Sequence, residues 1–183
     1  HKLNRIEDKW GLWGHSFFKL VSPAQYFDEH PEYFSLVNGQ RVAMQLCLTN
    51  PDVLKIVTGE LDKRINDAPG LNYWSVSQND DLGACECDNC SALNKKHESY
   101  QGSLLTFINQ IAAKFPDKTI STLAYNFSRK PPVGLKPLEN VNIMFSAIDI
   151  NRSKPFDTDP RSERFRKEYD EWEKLTSNII VWD

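Results

Sequence analysis

No apolar run in the 183 residues reaches the length of a membrane-spanning helix, which excludes a transmembrane helix. There is no G-x-G-x-x-G and no P-loop, so nucleotide binding has no support. Charge of one sign is not in excess: the formal net charge is −3, which points to neither nucleic acid nor an anionic membrane as partner. No signal peptide is visible, and a start at His1 rather than Met leaves room for processing or truncation. Cysteine is scarce, four in all, yet three of the four fall within six residues.

What is present is ordinary in bulk and specific in detail. Hydrophobic content is 40% and charged content 26%, as in a soluble globular domain with a real core. Aromatic residues are plentiful: 5 Trp, 6 Tyr and 10 Phe. Most belong in a core, but flat rings also stack on the faces of pyranose sugars.

The pattern alternates strands with helices or long loops. It predicts strands over 12–21, 71–78, 119–126, 141–148 and 178–183, with a further short strand over 42–48 placing Cys47. Asn38-Gly39 is a turn signal. Thr49 or Asn50 caps a helix that has Pro51 at its first position and an apolar face of Val53, Leu54, Ile56, Val57 and Leu61. A broken helix follows Cys90 to about Phe115, and another covers about 160–176. Such alternation implies a parallel sheet. Polar residues gather where strands end: Asn79, Asp80, Tyr125, Asp149 and Asp183. In a (β/α)8 barrel that face carries the chemistry. Five strands are too few for a closed barrel, which needs about 250 residues. The expected fold class is therefore α/β, a partial (β/α)8 TIM-type barrel of about strands 3 to 7. Residues 1–183 form its single domain; an open α/β sheet is the alternative.

The cysteines suggest a metal. A C-x-C-x2-C loop, Cys85, Cys87 and Cys90, supplies three ligands of a tetrahedral zinc, and Cys47 is a natural fourth from the preceding βα loop. His97 is a weaker fourth ligand, and disulfides or free thiols are the alternatives. An all-cysteine site would be structural, because it leaves no position for substrate. Among the acids, Asp80 follows its strand directly and reads as a general acid, with Asp81 beside it. The plainer reading is that Asn79, Asp80 and Asp81 turn the chain and cap the next helix. Asp149 and Asp183 carry the same ambiguity. His15 could bind a sugar hydroxyl or serve as a hydrogen-bonded core residue. Tyr125 faces core or cleft.

Several segments together resemble a known family. HPEYF at 30–34, QLCLTNPDV at 45–53, SVSQND at 75–80, CECDNC at 85–90 and TLAY-x3-RKPP at 122–132 are similar to the bacterial domain-of-unknown-function family 4838. That family is grouped with glycosidase-type TIM barrels, and the likeness covers nearly the whole chain. The cysteines also resemble those of family 42 β-galactosidases, which bind structural zinc through one βα-loop cysteine and a C-x-C-x2-C after strand four. This likeness implies that Asn79 binds a 2-hydroxyl, Asp80 is the acid/base and Asp183 stands at the nucleophile's place on strand seven. Both positions hold Asp where those enzymes use Glu, which alters the carboxylate separation. A second likeness, to substrate-assisted hexosaminidases, makes Asp80 and Asp81 a proton donor and a polariser of an N-acetyl group. The resemblances imply a bacterial protein of the periplasm, the cell surface or the extracellular medium. Its expected activity is glycoside hydrolysis on a polysaccharide or glycoconjugate, with His15, Asn79, Asp81, Tyr125 and Asp149 lining the substrate site. A silent carbohydrate-binding barrel and a zinc-stabilised interaction domain are the rivals.

Overall fold

The structure is a computed structural model that describes residues 9–151, 153–155 and 157–182. In chain order the elements are β1 (Trp10–Leu12), α1 (Phe17–Leu20), α2 (Pro23–Tyr26), β2 (Phe34–Val37), β3 (Gln40–Leu46), α3 (Pro51–Asp67) and β4 (Tyr73–Ser75). Then follow α4 (Asp88–Lys96), α5 (Gln101–Ala112), β5 (Thr119–Ala124), β6 (Val141–Ser146), α6 (Glu163–Glu173) and β7 (Ile179–Trp182).

Five strands make one parallel sheet in the order β1-β4-β5-β6-β7, so its neighbours follow chain order. That is the winding of a (β/α)8 barrel, left open between β1 and β7. Alternation along the strands sorts side chains to two faces. Trp74, Ile120, Ala124, Val141, Ile143 and Phe145 join the main core with α3, α5 and α6. Trp10, Leu123 and Met144 turn the other way and gather Trp13, Tyr73, Tyr125, Ile180 and Trp182 around them. This second face corresponds to the inside of a barrel. β1 lies close against β4 because Gly11 has no side chain: a Cβ there would fall 2.1 Å from the Trp74 ring.

The helix α3 forms for the reasons legible in its sequence. Asn50 Oδ1 accepts from the backbone N–H groups of Asp52 and Val53, and Pro51 occupies the first turn. Val53, Val57, Leu61 and Ile65 repeat at helical spacing and are all buried. Each such side chain contributes on the order of 2 kcal/mol through burial.

The expected strand over 12–21 is corrected. Only Trp10–Leu12 is strand, and α1 occupies Phe17–Leu20. Gly14 turns the chain at φ +61°, and Ser16 then anchors the new direction by donating its hydroxyl to the Ser75 carbonyl. Phe17, Leu20 and Val21 are buried at i, i+3 and i+4, a spacing that a dense apolar run satisfies as readily as a strand period. The strand predicted over 42–48 belongs to β3, which pairs antiparallel with β2 in a separate two-stranded sheet. Asn38 and Gly39 join them with φ of 48° and 78°, the conformation of a tight hairpin turn. This hairpin is an excursion within the long connection from β1 to α3. Strand β4 is shorter than 71–78, although Val76 still donates to the Ser121 carbonyl across the sheet.

Beyond the sheet's C-terminal end, Arg129 is sealed between β6 and α6 at 3% exposure. It pairs with Asp149 and lies 2.8 Å from Glu168 Oε2, off the N–H axis, so the second contact is an ion pair rather than an aligned hydrogen bond. Its guanidinium sits over the rings of Phe145 and Phe165 at 5.3 and 5.5 Å. Arg129→Met leaves the buried Glu168 without its buried cation, with the exposed Arg164 on its other oxygen. The expected cost is about 3 kcal/mol, read as a shifted midpoint in urea with an unchanged slope.

Candidate functional site

The C-terminal ends of the strands bring three of the predicted residues together. Tyr125, directly after β5, donates its hydroxyl to Asp80 Oδ1 across 2.8 Å. That bond, with burial second, raises the Tyr125 hydroxyl above its ordinary range. His15 lies beside them, its ring centroid 5.9 Å from that of Tyr125. Its Nδ1 is 2.6 Å from the Gln78 carbonyl, which can only accept, so Nδ1 carries a proton. Nε2 of the neutral ring is then an acceptor, suited to a hydroxyl group.

Rings continue from this point over the inner face. His15 neighbours Trp182 at 6.1 Å, Trp182 neighbours Trp13 at 6.1 Å, and Trp13 meets Trp10 edge-on at 4.8 Å. Trp13 and Trp182 are half-buried.

The other predicted residues are placed differently. Asn79 holds its own surroundings: Oδ1 accepts from the Phe18 N–H at 3.4 Å, and Nδ2 donates to the Met44 carbonyl at 2.9 Å. Asp81 is exposed beside Asp80. Asp149, 62% exposed, pairs with Arg129. Asp183 lies outside the described residues.

The four cysteines converge as their spacing suggested. The sulfurs of Cys47, Cys85, Cys87 and Cys90 all lie within 4.8 Å of one another, and none is in a disulfide. Four sulfurs each about 2.3 Å from a central zinc would be about 3.8 Å apart. Cys47 and Cys87 are separated by 3.6 Å, close to that spacing. Donors surround the cluster. The Leu36 N–H reaches Cys85 Sγ at 3.4 Å, Arg41 Nη1 lies 3.9 Å from the same sulfur, and Thr49 Oγ1 is 3.2 Å from Cys90 Sγ. Hydrogen bonds from Cys85 and Cys90 hold the Cys47 thiol far below its usual range, while the bond to Cys47 pushes Cys85 up to about 11. Thiols that share protons this closely offer a dication four sulfurs in exchange for those protons. The cluster could therefore hold a metal ion. His97 takes no part: its Nδ1 is 2.8 Å from the Val133 carbonyl.

A family model described as Domain of unknown function (DUF4838) matches the chain over residues 2–183. The chain belongs to that family. No curated protein matches it. DUF4838 membership thus spans the open parallel sheet, the hairpin and the cysteine cluster together.

Sequence reasoning missed Gln45, Arg41 and Arg129. Gln45 lies near the end of a strand, Arg41 just past a turn and Arg129 at the start of a Pro-rich loop. Nothing in their neighbours along the chain signals that Gln45 and Arg129 are buried.

Proposed function

We propose that this chain is a glycoside hydrolase-like barrel segment acting on a polysaccharide or glycoconjugate, stapled by a structural zinc. Asp80 is the working carboxylate and Tyr125 the group that holds it. The observation that carries this reading is the 2.8 Å bond from the Tyr125 hydroxyl to Asp80 at the strand ends, beside the rings of His15 and Trp182. An anchored carboxylate next to flat apolar surface is what a glycosidic bond requires: a proton donor at the linkage oxygen and a face on which the sugar lies. Tyr125 engages Oδ1, which leaves Oδ2 for the linkage oxygen. His15 Nε2 accepts a sugar hydroxyl. Zinc fits Cys47, Cys85, Cys87 and Cys90 because four thiolates match its preference, and a site filled by four sulfurs steadies the loop without entering the chemistry.

A second reading has its own support. Asp149 is engaged by Arg129, so it is poorly suited to serve as a second catalytic acid. A silent carbohydrate-binding barrel needs no such acid. The deciding experiment presents the intact protein with a panel of aryl glycosides and with glycan arrays. Hydrolysis of at least one sugar supports the enzyme. Binding without turnover supports the silent barrel. Neither binding nor turnover on any glycan overturns the carbohydrate reading altogether.

A further inference from the structure

We infer that Gln45 is the positioning residue for Asp80, clamping the chain on both sides of it. This rests on the reading of Asp80 as the working carboxylate. Gln45 is 3% exposed and lies on β3, a strand outside the barrel sheet. Its Oε1 accepts from the Asn79 N–H at 2.9 Å, and its Nε2 donates to the carbonyls of Asn79 and Asp81, each at 2.8 Å. One amide thus closes three bonds to the residues immediately before and after Asp80. Three bonds to backbone from a single buried side chain leave that short segment little freedom.

The same strand holds the rest of the loop. The Met44 carbonyl accepts from Asn79 Nδ2 at 2.9 Å. Gly83 lies so close to Met44 that a Cβ there would fall 2.7 Å from its sulfur. Two residues beyond Gln45, Cys47 enters the cysteine cluster with Cys85. Residues 79–86 are therefore pinned to the hairpin at one end by Gln45 on β3 and at the other by the Glu86 N–H, which donates to the Leu36 carbonyl of β2 at 2.8 Å. β3 is itself registered against β2 by the ladder from Leu46 opposite Phe34 to Gln40 opposite Val37. The hairpin, an excursion with no place in a barrel sheet, has this loop as its load. Asp80 is left with its backbone held and its carboxylate presented to Tyr125.

The test substitutes Gln45→Met, which keeps the volume and removes all three bonds. Hydrogen exchange reads the clamp directly. Backbone amides of residues 79–83 should exchange about 10- to 100-fold faster, the expected consequence of losing buried hydrogen bonds in one segment. The Tyr125 hydroxyl reads the position of Asp80. Its ionisation, taken as the ultraviolet difference from Tyr125→Phe, should fall towards the ordinary value of about 10. Metal content should stay at the wild-type level. On a cleaved glycoside kcat should fall by about 100-fold with KM little changed, as expected for a displaced catalytic group. Gln45→Asn keeps the amide but draws it back by one methylene from its three partners, so it should fall between; it carries the same readouts should Gln45→Met fail to fold. Wild-type exchange and an unmoved Tyr125 titration in the folded variants overturn the clamp. If the wild type cleaves nothing, exchange and titration still decide the clamp, and the failure falls on the function of Asp80 alone.

Discussion

Cys90→Ser is expected to empty the metal site and to cost the protein about 3 kcal/mol or more, a fall of roughly 6–12 °C in Tm for a chain of this length. Cys90 is fully buried at the first turn of α4, with Thr49 Oγ1 3.2 Å from its sulfur. Serine there offers a poor ligand and leaves three thiols crowded in a space sized for an ion. The size of the effect follows from what the cluster joins. Cys47 follows the β2–β3 hairpin, and the other three sulfurs open α4, some forty residues later in the chain. An ion bound there would close that long loop, so its free energy would enter folding directly. Protein purified without chelator should carry about one equivalent of zinc, with sulfur at about 2.3 Å by X-ray absorption. A strong chelator should reproduce the loss of Tm in the wild type and leave Cys90→Ser unmoved. Full stability in the variant, or no metal in the wild type, removes the staple.

Asp80→Asn is expected to lower glycoside turnover by about 100- to 10,000-fold, the range that a positioned acid or base supplies. The fold and metal content should be unchanged, because Asp80 is exposed and its side-chain bond to Tyr125 can be kept by the asparagine oxygen. The neighbouring acids separate mechanisms. Asp81→Asn should be mild where Asp80 works as an ordinary acid/base, and as damaging as Asp80→Asn where the two act as a substrate-assisted pair. Asp183→Asn tests for a second carboxylate: severe loss supports a two-acid mechanism, and near-normal turnover argues against one. The measurement is the pH dependence of kcat and kcat/KM on the sugar that the panel selects. Wild-type turnover in Asp80→Asn removes this residue from the mechanism.

That Asp80 and Tyr125 lie at one end of the sheet, and that four cysteines gather, could be read along the chain. Asp80 and Tyr125 were legible because a parallel α/β winding puts strand C-termini on one face, whichever side chains fill the core. The cysteines were legible because C-x-C-x2-C leaves few other uses for three thiols in one short loop. Reading failed where the apolar density was too high to show a period. In LWGHSFFKLV nearly every position can be buried, so strand and helix fit the run equally, and the turn at Gly14 decides between them. Asn79 illustrates a different limit. A polar side chain at a strand end can face ligand or its own backbone, and here the Phe18 N–H and the Met44 carbonyl take both ends of its amide.

The order of the parallel strands, the capped helix α3 and the gathering of four cysteines were determined by the sequence itself, through alternation, capping and spacing. These are local signals, written within a few residues of where they act. Only the tertiary structure decided that the β2–β3 hairpin lies against the Asp80 loop, that Gln45 closes on that loop, that Arg129 claims Asp149, and that Tyr125 reaches Asp80. The partners in those bonds lie 20 to 45 residues apart in the chain. Buried polar groups must find partners wherever the packed chain brings one, and the sequence along any one strand carries no mark of which distant segment that will be.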